Sequence, residues 1–218
     1  MIDLKSMQIL IPTPKSVTLV AVSKKQPLSK ILALYAVGQR HFGESTVQEA
    51  LPKISAVLQK NITDITWHFI GSIQSNKTAD IANNFSWVHS LSRLNIAQLL
   101  NQYRPIELGP LNVCIQVNID HSPTKSGIPL RELNAFAEKL VQLPNLKFRG
   151  LMTIPQAQTD FRAQCRPFRA LHEAFEQLKA QGYDIDTLSM GMSDDYQAAI
   201  AEGATMIRLG SALFGDKK

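Results

Sequence analysis

Cysteine is nearly missing from this chain: there are two in 218 residues, Cys114 inside an apolar run and Cys165 in a polar segment leading into a helix, with no paired spacing. That scarcity excludes a disulfide framework and a cysteine-based zinc site, and both residues read as free thiols in a reducing compartment. Long apolar runs are lacking as well. No stretch reaches the roughly 18 to 20 residues that a membrane helix needs, and Met1 to Ser16 has no basic region followed by an apolar core and a cleavage site. The expected location is cytoplasmic, with no membrane partner. Basic clusters are absent too: the net charge is +5, Lys217 and Lys218 contribute two of those charges at the chain end, and the remaining basic residues are scattered singly. Such a distribution lacks the footprint of a nucleic-acid binder and reads as solvated surface, leaving room for a small phosphorylated anion. The five histidines, His41, His68, His89, His121 and His172, have no metal-ligand spacing with one another or with cysteine, so no metal is expected.

With 44% hydrophobic and 19% charged residues, and no linker or shift in composition, the chain reads as one globular domain over residues 1–218. Apolar, β-branched runs alternate with segments whose apolar residues recur at helical spacing. The strands fall at Thr18–Ser23, Arg40–Gly43, Trp67–Ile70, Trp87–Ser90, Asn112–Ile119, Lys147–Ile154, Thr187–Met192 and Thr205–Leu209. Between them lie helices through Ile31–Tyr35, Val47–Leu58, Lys77–Asn83, Leu94–Tyr103, Leu130–Leu143, Phe168–Gln181 and Asp194–Glu202, with Ser211–Phe214 opening a last one. Parallel strands need crossovers, and eight strand–helix units are the number that closes a (β/α)8 TIM barrel. A doubly wound open sheet is the structural alternative. It would carry a glycine-rich phosphate turn after its first strand, where this chain has Ser23-Lys24-Lys25-Gln26-Pro27.

In a barrel the chemistry sits at the C-terminal strand ends. Those ends carry Lys24, Glu44 with Ser45, Gly71 with Ser72, Ser90, Asn118, Thr153, Met192 with Ser193, and Arg208 with Gly210 and Ser211. Lys24 follows an apolar strand whose rim would shield its amine, and a lysine amine with a free lone pair attacks aldehydes to form a Schiff base. Read alone, the dipeptide favours the plainer reading of Lys24 and Lys25 as two solvated loop lysines. Strand seven runs through Leu188-Ser189-Met190-Gly191-Met192-Ser193 into a helix, and strand eight ends in Arg208-Leu209-Gly210-Ser211. Small and hydroxyl residues at both places suit an anion, and phosphate sits between strands seven and eight in many barrels. Taken singly, Ser193 is a helix cap and Gly210 a turn. His68 reads as a hydrogen-bonded core histidine, Asp194 and Asp195 as residues favoured at a helix start, and Lys125 as a surface lysine within reach of the mouth.

Taken together, the segments Ala21-Val22-Ser23-Lys24, Phe42-Gly43-Glu44, Val47-Gln48-Glu49, Trp67-His68-Phe69-Ile70-Gly71, Gln74-Ser75-Asn76-Lys77, Lys125-Ser126-Gly127, Gly150-Leu151-Met152, Leu188 to Asp194 and Arg208 to Gly215 resemble the pyridoxal phosphate homeostasis proteins, the YggS/PROSC family. The resemblance extends from about Val17 to Gly215. It implies a barrel like the N-terminal domain of alanine racemase, with Lys24 forming the internal aldimine with pyridoxal 5′-phosphate. It also implies that Ser193 and the amides of Gly210 and Ser211 hold the phosphate, and that Arg208 faces the pyridine nitrogen. A cation there opposes protonation of the ring and weakens the cofactor as an electron sink.

In alanine racemase the acid on the opposite face is a tyrosine from a second domain and partner subunit; here the expectation is no second domain, a monomer, and Tyr196 as the only tyrosine near the mouth. The family is regarded as non-catalytic, holding the cofactor, passing it on to apo-enzymes and influencing vitamin B6 and amino-acid balance, so no catalytic residue is assigned. Two departures stand out. Ser45-Thr46 replaces the usual Asn-Tyr, removing a ring and an amide from beside the cofactor, and the short N-terminus leaves at most Met1–Ile11 for a leading helix. The alternatives are an amino-acid racemase or related pyridoxal enzyme, and a sugar-phosphate barrel using Lys24 for aldol chemistry.

Overall fold

In the computed structural model the described residues are Pro14 and 16–215, apart from His121 and Thr124. The expected leading helix within Met1–Ile11 and the two terminal lysines lie outside them. Among the described residues eight parallel strands close on themselves in sequence order: β1 (Thr18–Val22), β2 (His41–Glu44), β3 (Thr66–Phe69), β4 (Trp87–Leu91), β5 (Leu111–Gln116), β6 (Leu146–Met152), β7 (Thr187–Ser189) and β8 (Met206–Leu209). Closure is made by β1 and β8, which pair in parallel with Val20 opposite Arg208 and Ala21 opposite Leu209. That pairing excludes the open doubly wound sheet, whose edge strands stay apart.

The crossovers are α1 (Leu28–Ala36), α2 (Val47–Leu58), α3 (Thr78–Asn84), α4 (Leu94–Tyr103), α5 (Leu133–Leu140), α6 (Phe161–Ala180) and α7 (Tyr196–Ala201), and α8 (Ser211–Phe214) follows the last strand. Alternation along each strand divides the core in two. Residues such as Ala21, Phe42, Phe69, Val88 and Leu151 face the helices in the larger apolar layer, whereas Val20, Trp87, Cys114, Met152 and Met206 form a small cluster in the barrel lumen. The same parity places Arg208, two residues after Met206, in the lumen.

Several boundaries differ from the sequence-based ones, each for a local reason. β7 stops at Ser189 instead of Met192 because Gly191 turns the chain with φ of 94°. A Cβ on Gly191 would lie 2.7 Å from the Cβ of Ala199, so the turn also lets α7 pack tightly on the strand end. β5 ends at Gln116, and beyond it Val117 bridges to Ile128, with the Asn118 N–H donating to the Ile128 carbonyl. Helix α6 begins at Phe161, seven residues before the expected start, and carries Pro167 inside it. Its first turn is secured by Asp160, whose carboxylate accepts from the Ala163 N–H at 2.8 Å.

Removing that cap is a direct check of this helix start. Asp160→Ala should lower stability by about 1 kcal/mol in urea unfolding; an unchanged midpoint would mean that α6 does not begin at Phe161.

Candidate functional site

Lys24 follows β1 on its lumen parity, after Val20 and Val22, and the structure leaves its side chain exposed, so the strand rim does not shield the amine as expected. Its backbone is held more firmly than its side chain. Ser23 faces the helix layer, where its hydroxyl donates to Glu44 Oε1 at 2.6 Å. Lys53 on α2 donates from Nζ to the Ser23 carbonyl at 2.8 Å, to Glu44 Oε1 at 2.8 Å and to Glu49 Oε1 at 2.6 Å. On the other side of Lys24, the Lys25 N–H donates to Glu49 Oε1, and Lys25 itself sits at φ of 60°. The residue before and the residue after Lys24 are thus both tied to α2.

Glu44, expected at the barrel mouth, belongs to this helix-layer cluster instead, because it shares the parity of Phe42. It is fully buried, its Oε2 has no hydrogen-bond partner among the described residues, and burial raises its carboxyl above the ordinary range against the lowering effect of Lys53 and Ser23. Lys53 and Glu49 were missed as site-forming residues. The helical spacing of Glu49 and Lys53, four apart on α2, was the available signal.

Arg208 is 3% exposed in the lumen. Its Nη1 donates to Ser189 Oγ at 2.7 Å and its Nη2 to the Thr153 carbonyl at 3.0 Å. Burial lowers its pKa to about 10, which still leaves a full cation at neutral pH. Ser189 in turn shares a 2.7 Å hydrogen bond with His89 Nδ1, and His89 and His68 are both buried. His68 is therefore the hydrogen-bonded core histidine that its pattern suggested, while the part played by His89 and Ser189 went unread. Their signal was the parity of Trp87 with His89, which puts both in the lumen. The neighbouring lumen thiol, Cys114, is pushed up to about 12 by burial and is inert as a nucleophile. Both cysteines are free, as their spacing indicated.

The segments after β7 and β8 meet each other. Ser193 Oγ accepts from the Ala212 N–H at 3.3 Å, so this hydroxyl ties the two loops together instead of capping α7. Asp195 occupies the N-cap position of α7, yet its carboxylate turns back to accept from the Met192 N–H at 2.6 Å. At Gly210 a Cβ would meet nothing nearer than the Val22 Cβ at 3.6 Å. The chain's own packing therefore does not require glycine there, and a backbone without a side chain suits close approach of a ligand. Lys24, Ser193, Arg208, Gly210 and Ser211 all lie on the β7–β8–β1 side of the mouth, as the strand order requires. Across the barrel, a cavity of about 180 Å³ is lined by Ser72, Ser90, Ser92, Arg93 and Gln116 with Ile73, Ile96 and Ser126. Lys125 is half-buried, and its Nζ donates to the Ile154 carbonyl at 3.2 Å and to Asp120 Oδ2 at 3.4 Å, which joins the loops after β5 and β6. Among the described residues no group of three or more acidic, histidine or cysteine residues could hold a metal ion, and no helix is long and apolar enough to cross a membrane.

The family model of the alanine racemase N-terminal domain matches residues 4–218. A pyridoxal phosphate homeostasis protein of Escherichia coli is 48% identical over 203 residues, covering 93% of this chain and 87% of that protein. One from Pseudomonas aeruginosa is 50% identical over 204 residues, covering 93% and 85%. Among solved structures, PipY of Synechococcus elongatus, solved with pyridoxal phosphate bound, is 38% identical with a TM-score of 0.86, covering 94% of this chain and 95% of that one. An alanine racemase of Clostridium difficile superposes at a TM-score of 0.76 with 15% identity, covering 96% of this chain and 55% of that one, a likeness of fold.

The buried histidines give the site a pH signature. Burial, and next to it the Arg208 charge, lowers the pKa of His89 from 6.5 to about 3, and His68 is also held well below its ordinary value. Unfolded, these rings take up protons near 6.5, so the stability they carry is complete above that pH and is lost as the pH falls towards their folded values. Between about pH 4 and 6 the slope of unfolding free energy against pH should be shallower in His89→Gln than in the parent by about 1.4 kcal/mol per pH unit, one proton's worth. Equal slopes in urea titrations would show that His89 is protonated in the folded barrel.

Proposed function

The chain belongs to the pyridoxal phosphate homeostasis protein family, built on the alanine racemase N-terminal-domain fold, and from that premise we propose that it binds pyridoxal 5′-phosphate as a Schiff base on Lys24. The observation that carries this reading is the buried Arg208 cation, facing the lumen one strand away from a lysine whose flanking backbone is fixed by α2. The groups present fit the cofactor. Lys24 supplies an exposed amine, Gly210 carries no side chain to hold a ligand off its backbone, and Ser193 spans the two loops with its hydroxyl donating to no acceptor among the described residues.

In this reading Ser193 and the amides of Gly210 and Ser211 hold the phosphate, and Arg208 faces the ring nitrogen. The cofactor, when bound, supplies an aldehyde for the lysine and an electron sink whose strength depends on protonation of that nitrogen. Arg208 holds a positive charge where that proton would go, which blunts carbanion chemistry. Of the four tyrosines, Tyr196 opens α7 behind β7, on the same side as Ser193, so it does not provide an acid on the opposite face. We therefore read the protein as one that holds the cofactor and hands it to pyridoxal-dependent apo-enzymes in vitamin B6 and amino-acid balance, without turnover.

Borohydride reduction of the purified, cofactor-loaded protein followed by peptide mass mapping should place one pyridoxyl group on Lys24, and Lys24→Ala should abolish it. Label on another lysine would sink the assignment. Incubated with a panel of amino acids in deuterated water, the loaded protein should leave the α-hydrogen unexchanged, whereas steady exchange would make the chain a racemase or a related enzyme.

A further inference from the structure

Arg208 is the last member of a hydrogen-bonded chain that crosses the barrel. His41 Nδ1 lies 3.0 Å from His68 Nε2, His68 Nδ1 lies 2.9 Å from His89 Nε2, and His89 Nδ1 lies 2.7 Å from Ser189 Oγ, which accepts from Arg208. The chain starts at the first residue of β2, where His41 is half-buried, and its inner members are sealed from water. The rings are fixed in plane by their neighbours: His68 stacks on Trp87 at 5.6 Å and 19°, and meets His89 edge-on at 5.1 Å. Trp87 is itself covered by the Arg149 guanidinium at 4.7 Å.

Hydrogen counting leaves two orders for such a chain. A neutral imidazole has one donor and one acceptor, and each nitrogen–nitrogen link takes one hydrogen, so His68 must donate at one link and accept at the other. If hydrogens pointed towards Ser189, His89 would donate from Nδ1, the Ser189 oxygen would accept from both His89 and Arg208, and its own hydrogen would have no acceptor among the described residues. In the other order every buried hydrogen of the chain is used: the Ser189 hydroxyl donates to His89 Nδ1, His89 Nε2–H to His68 Nδ1, and His68 Nε2–H to His41 Nδ1, which leaves only the Nε2–H of the half-buried His41 outside the chain.

We propose that His89 and His68 are positioning residues for Arg208: all three rings are Nε2–H tautomers, and their common order fixes the Ser189 hydroxyl and through it the direction of the guanidinium. This order keeps the Ser189 lone pairs free for Arg208 and places no anion beside it. Arg208 therefore keeps its charge uncompensated by its hydrogen-bond partners, with Nη1 and Nη2 each anchored on one side. The tautomer order concerns the chain alone, whereas its effect on a bound cofactor rests on the reading that Arg208 faces the pyridoxal ring.

Two measurements separate those parts. In the cofactor-free protein with 15N-labelled histidine, NMR should find unprotonated Nδ1 in His41, His68 and His89, with couplings across two N–H···N hydrogen bonds. A protonated Nδ1 in His68 or His89, or no coupling between rings, would overturn the tautomer order, whatever the cofactor experiments find. In the loaded protein, His89→Leu should shift the visible absorption and circular dichroism of bound pyridoxal phosphate. His89→Asn, whose Oδ1 can still accept from Ser189, should restore the parent spectrum. Spectra unchanged in His89→Leu, or equally changed in both variants while both stay folded, would overturn the positioning role.

Discussion

A guanidinium buried in the lumen of a closed barrel is the constraint around which this molecule is arranged. Removing such a cation from water costs several kcal/mol unless its donors are satisfied. Arg208 meets that demand with the Ser189 hydroxyl on β7 and the Thr153 carbonyl after β6. Neither acceptor carries charge. The positive charge thus stays uncompensated by the immediate ligands of the guanidinium, with Asp195 its most influential charged neighbour. A lumen built this way favours a ligand with an electron-rich atom at that depth, and the unprotonated nitrogen of a pyridine ring is one.

Around this cation the barrel distributes its tasks by strand parity. Lumen positions carry Arg208, Ser189 and His89, and the lumen series along β1 leads to Lys24. Positions facing the helices carry Ser23 and Glu44, which with Lys53 and Glu49 hold the backbone on either side of Lys24. An exposed lysine side chain on a fixed backbone can reach a ligand and let it go again. A deeply buried one would not exchange so readily. The loops after β7 and β8, joined through Ser193 and the Ala212 amide, lie beside the same strand.

The architecture was legible because alternating apolar runs and helical spacings are properties of consecutive residues. Helices α2 and α4 and the short α8 came out with the bounds that the spacing predicts. Boundaries slipped where a backbone feature decided them: the left-handed Gly191 after β7, the return of the chain at Ile128 after β5, and the capped start of α6 ahead of Pro167. At the site, strand ends brought Lys24, Ser193, Arg208, Gly210 and Ser211 to one side of the mouth. The sequence did not reveal that Glu44 turns away from that mouth, because parity at a strand's last residue depends on register with its neighbours. Nor did it reveal the link from His41 to Arg208, which joins residues from β2, β3, β4, β7 and β8. Contacts between residues so far apart in the chain exist only once the barrel has closed.

The most direct test of the account is a crystal structure of the protein loaded with pyridoxal phosphate. It should show continuous density from Lys24 Nζ to the cofactor's aldehyde carbon, the Arg208 guanidinium within hydrogen-bonding distance of the ring nitrogen, and the phosphate against Ser193 and the Gly210 and Ser211 amides. A cofactor joined to another lysine, or a ring nitrogen turned away from Arg208, would contradict it.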